Sequence, residues 1–373
     1  MKILISTPYY LPNVSGITVY IKNLAEELVK RGHKMTILTS RHLSNLKKEE
    51  KNNGVFIKRI WAPIKIGKGI IMPFFPFTVI KEIINSDVIN CHLPSLESFF
   101  IALGKIVFKK KLIITYHCDF DSGNQIINNL IKFIQNLVLK SADVIVVNTK
   151  DYIENYNLLI NYRKKIIEIY PPIIIENNNR NEELEINQKL EKFKDKKIIG
   201  FLGRVSKEKN LELLIKTIPL LKKNNFIIAI AGPDKVIGED IYQKKINNLF
   251  ERYKNVVIKL GEIKSASAFL KKCDCLVTMS DNRLESFAMV QVEAMKCGTP
   301  CVATNLPGIR VPILESGFGE LFENKNRTDL ANKIELVLKN GKQYYQNKFN
   351  KNIKIFDYKK SIDSYEKLFL ERI

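Results

Sequence analysis

Short apolar runs of β type alternate with amphipathic helical stretches along this chain, and the alternation occurs twice. That is the pattern of parallel sheets wrapped by helices. The first half offers KILIST (2–7), KMTILTS (34–40), VFIKRI (55–60), DVINCH (87–92), KLIITYH (111–117) and DVIVVN (143–148) as strands, with helices near 17–30 and 126–140. The second half offers KIIGFLG (197–203), FIIAIAG (226–232), VVIKLG (256–261), CLVTM (275–279) and CVAT (301–304), with helices near 208–221, 240–253 and 289–297. Between them IYPPIIIENNNRNEELEINQK, with its paired prolines and Asn/Glu tract, interrupts both periods. The expectation is α/β: two Rossmann-like, doubly wound domains, 1–175 and 196–355, joined by a linker over 176–195. A final helical segment, 356–373, is expected to pack back on the first domain. The 373 residues suffice for two such cores. Two sheets of this kind, facing each other, bind ligands outside the carboxyl ends of their strands.

Several classes are excluded early. The net charge of +21 invites a nucleic-acid or anionic-membrane reading. Of the 60 basic residues, however, 49 are Lys and 11 are Arg, and bidentate readout favours Arg. The excess is also even, +11 over residues 1–180 and +10 over the rest, so no single domain carries a basic face for nucleic acid. The start, MKILISTPYYLP, lacks the apolar region and cleavage site of a signal peptide. The longest apolar stretch, Ile70–Ile80, is eleven residues and contains Pro73 and Pro76, whereas a spanning helix needs about 20. Six cysteines in a chain this long do not make a disulfide framework, and no histidine lies near the pairs Cys273/Cys275 and Cys297/Cys301, which argues against zinc. The expected setting is cytoplasmic and reducing. No G-x-G-x-x-G follows the first strand and no P-loop occurs, which disfavours a dehydrogenase or an NTPase.

Four segments carry chemistry. In ESFAMVQVEAMKCGTPCVATNLPGIR (285–310), Glu285 and Glu293 are eight residues apart as a loop runs into a helix. At about 1.5 Å per residue they span roughly 12 Å, the reach of a nucleotide sugar from hexose to ribose. The amides of Ala288, Met289 and Val290 would open the helix and suit a diphosphate. Alone, the segment also fits an ordinary amphipathic helix and turn. GRVSKEKN (203–210) places Arg204 and Lys209 beside a helix start, where two cations neutralise a leaving diphosphate without a metal; solvated loop cations would look the same. His117 ends a strand in ITYHCDF and can donate to a sugar hydroxyl or a developing charge, or serve as a core or cap histidine. His33, in a turn, reads as structural. Gly16, in PYYLPNVSGITVY after the first strand, lets backbone approach a ligand closely.

In this order and spacing the four segments resemble the retaining glycosyltransferases of family 4, which have the GT-B fold. The likeness covers nearly the whole chain and is strongest from Gly200 to Arg310, where E-x7-E precedes EAMKCGTPCVAT and GRVSKEKN matches G-R-x-x-x-x-K-[GN]. The resemblance implies a nucleotide sugar held mainly by the second domain and an acceptor by the first. Glu285 would hold donor hydroxyls, amides near Phe287–Val290 sugar and phosphate, Glu293 the ribose, and Arg204 and Lys209 the diphosphate. Ile263 resembles the position whose backbone meets the base. His117 resembles the first-domain histidine near the reacting sugar, and Gly16 the glycine-rich loop under it. Two departures stand out: the family usually has Gly where Ala288 stands, and often Gly-Gly where this chain has Ser15-Gly16. IYPP (169–172) and DNRLES (281–286) resemble subgroups acting on lipid-linked or surface-polysaccharide acceptors.

The expected activity is transfer of a hexose from a UDP- or GDP-linked sugar to a hydroxyl acceptor, with retention and with neither metal nor cofactor. Alternatives of the same fold are an inactive partner subunit, a sugar-nucleotide epimerase or a phosphorylase. IKIGKGIIMPFFPF (64–77), with Lys65 and Lys68, and the lysines at 109–111 mark a candidate contact with an anionic membrane, peripheral on the inner face. A buried loop and a solvated turn are the bland alternatives.

Overall fold

The computed structural model describes residues 1–66, 69–121, 123–154, 157–175, 180–222, 225–233, 239–282, 284–349 and 353–371. Lys68 of the candidate membrane segment and residues 176–179 of the expected linker lie outside them. The chain divides into two compact units, Met1–Pro172 with Asp357–Ile373, and Ile173–Phe356.

The first unit holds β1 (Lys2–Ser6), β2 (Lys34–Arg41), β3 (Glu49–Asn52), β4 (Val55–Trp61), the hairpin β5 (Ile64–Ile66) and β6 (Gly69–Ile71), β7 (Val88–Leu93), β8 (Lys111–Tyr116), β9 (Val144–Val147) and β10 (Ile166–Glu168). Eight of these form one sheet in the order β10-β9-β8-β7-β1-β2-β4-β3, parallel except for the β3 edge. Its central strands, β7 and β8 above all, are Val/Ile-rich and buried on both faces, as a sheet covered by helices requires. β3 escapes the apolar pattern because EEKN has no apolar residue. Its signal is the turn Asn53-Gly54, both at positive φ, which closes a hairpin onto β4.

The second unit has a six-stranded parallel sheet: β11 (Lys197–Leu202), β12 (Phe226–Ala231), β13 (Val257–Gly261), β14 (Cys275–Thr278), β15 (Cys301–Thr304) and β16 (Gly319–Phe322), in the order β13-β12-β11-β14-β15-β16. Strand order reverses between β11 and β14 here, and between β1 and β7 in the first unit. Such reversals open a crevice at the strands' carboxyl ends. Both units are thus doubly wound and Rossmann-like, the pair that makes up the GT-B fold.

The tract read as a linker over 176–195 is folded from residue 180. Arg180–Leu190 is a helix whose Ile186 and Leu190, one turn apart, sit in the second unit's core. Two apolar residues amid Asn and Glu give too weak a periodicity to stand out in the sequence. The last helix, Tyr358–Leu370, packs in the first unit against Gly16–Lys30. There Arg31 bridges Asp363 and Glu366 at 2.6 Å each, and His33 Nε2 lies 2.8 Å from Glu366. Cys273, Cys275 and Cys301 are buried, and burial raises their thiols far above the usual range, so they act as small core residues.

Candidate functional site

In the second unit, the two chemistry-bearing loops flank the point where strand order reverses. GRVSKEKN leaves β11 and DNRLESFA leaves β14. They meet where the Lys209 ammonium bonds the Glu285 carboxylate, with Ser280 Oγ 3.4 Å from the same oxygen. Arg204 is not drawn into this pair; its Nη2 donates to Glu208 at 2.9 Å, and its side chain is partly exposed. The loop ends at Asn210, whose φ of 49° lies in the left-handed region. Glycine and asparagine tolerate that conformation best, which explains the Gly/Asn alternation at this position of the motif.

The turn into the helix Met289–Lys296 is built the same way. Ala288 has φ 54° and ψ 66°, and no side chain caps the helix. An alanine held there costs roughly 1–2 kcal/mol, so the glycine usual at this position has a conformational reason as well as a steric one. Phe287 is buried edge-on to Phe356 at 5.8 Å, so its side chain belongs to the core. Behind this loop Gly308 lies so close that a Cβ on it would come within 2.3 Å of the Ser286 carbonyl oxygen. Met289 and Val290 are partly buried at the helix start, and Glu293 follows one turn on. Burial pushes the Glu293 carboxyl up to about 7, opposed by the nearby Lys296. Ile263 lies just beyond the end of β13, partly packed on the core.

Glycines that belong to no single motif form the floor of this crevice. β11, β12 and β13 run out into Gly203, Gly232 and Gly261, with Gly203 N–H donating to Ala231 and Gly232 N–H to Gly261. A Cβ on Gly232 would come within 2.2 Å of the Gly203 oxygen. The sequence signal was present, since three successive strand candidates each end in Gly.

In the first unit Ser15 caps the helix Gly16–Lys30: its Oγ accepts from Thr18 N–H at 3.2 Å, and Thr18 Oγ1 accepts from Ser15 N–H at 2.8 Å. Serine where relatives often carry glycine thus has a capping role here. From this helix Tyr20 meets His117 edge-on at 5.0 Å. His117 and His92 are both buried, with His117 Nε2 2.7 Å from His92 Nδ1 and His92 Nε2 2.9 Å from Asn90 Oδ1. Asn90 spends its amide N–H groups on the Ile113 carbonyl and Thr115 Oγ1. Thr115 Oγ1 also lies 2.9 Å from Tyr365 OH, itself 2.6 Å from Tyr20 OH.

This network fixes the protons. Asn90 Oδ1 can only accept, so His92 carries its proton on Nε2 and accepts at Nδ1. His117 therefore donates from Nε2, leaving the lone pair on Nδ1, which no described residue bonds. Burial depresses both imidazoles, His117 to about 3, so they are neutral at physiological pH. In this tautomer His117 Nδ1 can accept a hydrogen bond.

The membrane segment also changes. Ile70, Met72 and Phe75 are core residues, so 64–77 is not an anchor as a whole. Lys110 bonds the Ile84 and Ser86 carbonyls and Lys111 the Glu371 carbonyl, leaving Lys109 exposed. Among the described residues no helix is long and apolar enough to cross a membrane.

Comparison with known proteins bears on the whole chain. The family of glycosyl transferases group 1 matches residues 182–356, and Glycosyltransferase Family 4 matches 14–177. An uncharacterized glycosyltransferase of Methanocaldococcus jannaschii is 30% identical over 91% of this chain and 89% of its own length. The chain belongs to glycosyltransferase family 4. The alpha-monoglucosyldiacylglycerol synthase of Acholeplasma laidlawii is 24% identical over 87% of this chain and 85% of its own. Among solved structures, Anabaena HepE in complex with UDP superposes with a TM-score of 0.78 at 18% identity, covering 99% of both chains. At that identity the likeness speaks for the GT-B fold alone. Membership of the family makes this chain a transferase.

Proposed function

We propose that this glycosyltransferase moves a hexose from a UDP- or GDP-linked sugar to a hydroxyl of a lipid-linked or surface glycan, with retention, at the inner face of the cell membrane. The observation that carries the reading is the Lys209–Glu285 pair across the strand-order reversal. It stands beside an uncapped helix start and a floor of glycines. A UDP donor is supported by the UDP and UDP-glucose complexes of the Anabaena relative, and a lipid acceptor by the name of the Acholeplasma one.

In this proposal Glu285 accepts hydrogen bonds from donor-sugar hydroxyls, and Glu293 from the ribose diol. Lys209, Arg204 and the amides at Ala288–Val290 receive the diphosphate, while backbone at Ile263 meets the base. The bond from the anomeric carbon to the diphosphate oxygen breaks, and the acceptor oxygen bonds that carbon on the same face. The acceptor's proton leaves with the diphosphate, whose charge the two cations and the helix start stabilise, so the step calls for no metal. His117 Nδ1 accepts from a substrate hydroxyl, and Gly16 leaves room for the acceptor beside it.

A thermal-shift series with UDP-, GDP-, ADP- and dTDP-sugars names the donor. Proton NMR of the product then reads the anomeric configuration, and chelation with EDTA is expected to leave the rate unchanged. Arg204→Ala and Glu285→Ala should each lower kcat/KM by about 100-fold or more. Near-normal transfer by both variants with every donor would overturn the site. Epimerised or phosphorolysed sugar in place of a glycoside would overturn the reaction, and so would donor binding with no turnover.

A further inference from the structure

Three helices of the first unit, Phe75–Asn85, Ser98–Phe108 and Gln125–Ser141, lie side by side on one face of its sheet. Each has a buried side: Val79 and Ile83 on the first, Ile101 and Ala102 on the second, Val138 and Leu139 on the third, all in one core cluster. Each also carries a second apolar stripe directed away from that core. On the first helix it is Phe77, Ile80 and Ile84, with Phe77 76% exposed. On the second, Phe100, Leu103 and Val107 repeat the same three-then-four spacing, and Val107 is 69% exposed. On the third, Ile126, Leu130, Phe133 and Leu137 continue it, with Ile126 80% exposed. A helix with apolar residues on both sides is expected where both are covered. Here the outer sides of three neighbouring helices together make one broad apolar surface, larger than the scattered residues of an ordinary soluble face. In the second unit the most exposed large apolar side chain, Ile241, stands alone on its helix.

The charges on these helices are mostly of one sign. The three helices contain Lys81, Lys105, Lys132 and Lys140 against the single acid Glu82. Glu82 is held by Lys58, and Lys105 by Asp143. That leaves Lys81, Lys132 and Lys140 exposed, with Lys109 just past the second helix. An apolar face edged by lysines matches a bilayer surface, where side chains enter the acyl boundary and ammonium groups meet anionic headgroups.

We propose that the outer face of these three helices docks the protein on a membrane carrying anionic lipids. Docking by this face is independent of which sugar is moved, so it can stand if the donor assignment fails. The full chain is sedimented with phosphatidylcholine vesicles and with equimolar phosphatidylcholine–phosphatidylglycerol vesicles, at low and high salt. Binding is expected to the anionic vesicles and to weaken with salt. Lys132→Glu with Lys140→Glu should lower the partition coefficient by about fivefold or more per lysine. Val107→Asp with Phe133→Asp should lower it at least about tenfold. Ile241→Asp should leave it unchanged. The exposed variants are expected to keep the parent's thermal unfolding and its nucleotide-sugar shift. No sedimentation with anionic vesicles, or equal binding by the Asp variants, would overturn docking by this face. So would a parent dimer that the Asp pair converts to monomer while vesicle binding persists.

Discussion

The two units carry candidate groups built from opposite materials. In the first unit the groups around His117 are neutral, buried and joined into a network in which each imidazole proton has one place. In the second unit the groups around Glu285 are charged, partly exposed and held by loops in left-handed turns. Neutral networks specify direction, because a misplaced proton leaves a buried donor or acceptor unpaired. Charged, accessible pairs specify affinity, because an incoming diphosphate or hydroxyl can exchange with a partner already there. The first arrangement suits aiming a lone pair at a hydroxyl, and the second suits exchange with an anionic or hydroxylic ligand.

The division predicts separate kinetic signatures. His117→Phe removes the Nδ1 acceptor and should lower kcat about 100-fold. The nucleotide dissociation constant should stay unchanged, since the nucleotide is assigned to the second unit. A large loss of nucleotide affinity by titration calorimetry would erase the distinction.

A smaller effect tests the charged half. Glu293, raised to about 7 by burial, ionises as pH climbs through neutrality, and the carboxylate is the better acceptor for a ribose diol. Nucleotide affinity should therefore rise about tenfold between pH 6 and 8, and Glu293→Gln should flatten the profile. Without ligand the sign for the fold is opposite. A raised carboxyl contributes stability that is full below its unfolded pKa and is lost as pH rises through about 7. Chemical denaturation of the free protein across that range should show the decline, and the Gln variant should not.

The smallest effect concerns the turn at 288. Ala288→Gly should raise the stability of the second unit by about 1 kcal/mol, the left-handed strain less the entropy glycine loses on folding. A drop in the unfolding midpoint would mean that the alanine methyl contributes packing that outweighs the strain.

Much of this was legible beforehand because strands buried on both faces announce themselves as Val/Ile runs, and the motif loops follow them directly. Lys209 and Glu285 both stand in motif segments, but their contact depends on β14 lying beside β11 rather than on any spacing. The tautomer of His117 is not legible from its own segment. It is set by His92 and Asn90, more than twenty residues earlier, through a register that pairs His92 with Thr115. The apolar face was half visible. Residues 64–77 combine Phe, Ile and Lys, yet Ile70, Met72 and Phe75 within that run are core. The stripes at Leu103–Val107 and Ile126–Leu137 look like ordinary core faces until it is known which side the sheet occupies.

The Tyr365 hydroxyl, shared between Tyr20 and Thr115, also bears on how the chain is made. The first unit is interrupted by the second and resumes only with the helix Tyr358–Leu370. On the ribosome, the later unit has therefore emerged before the earlier one can close. Until that helix arrives, a growing chain holds Tyr20 and Thr115 beside an unfilled groove, which makes the amino-terminal portion the part most dependent on protection during synthesis.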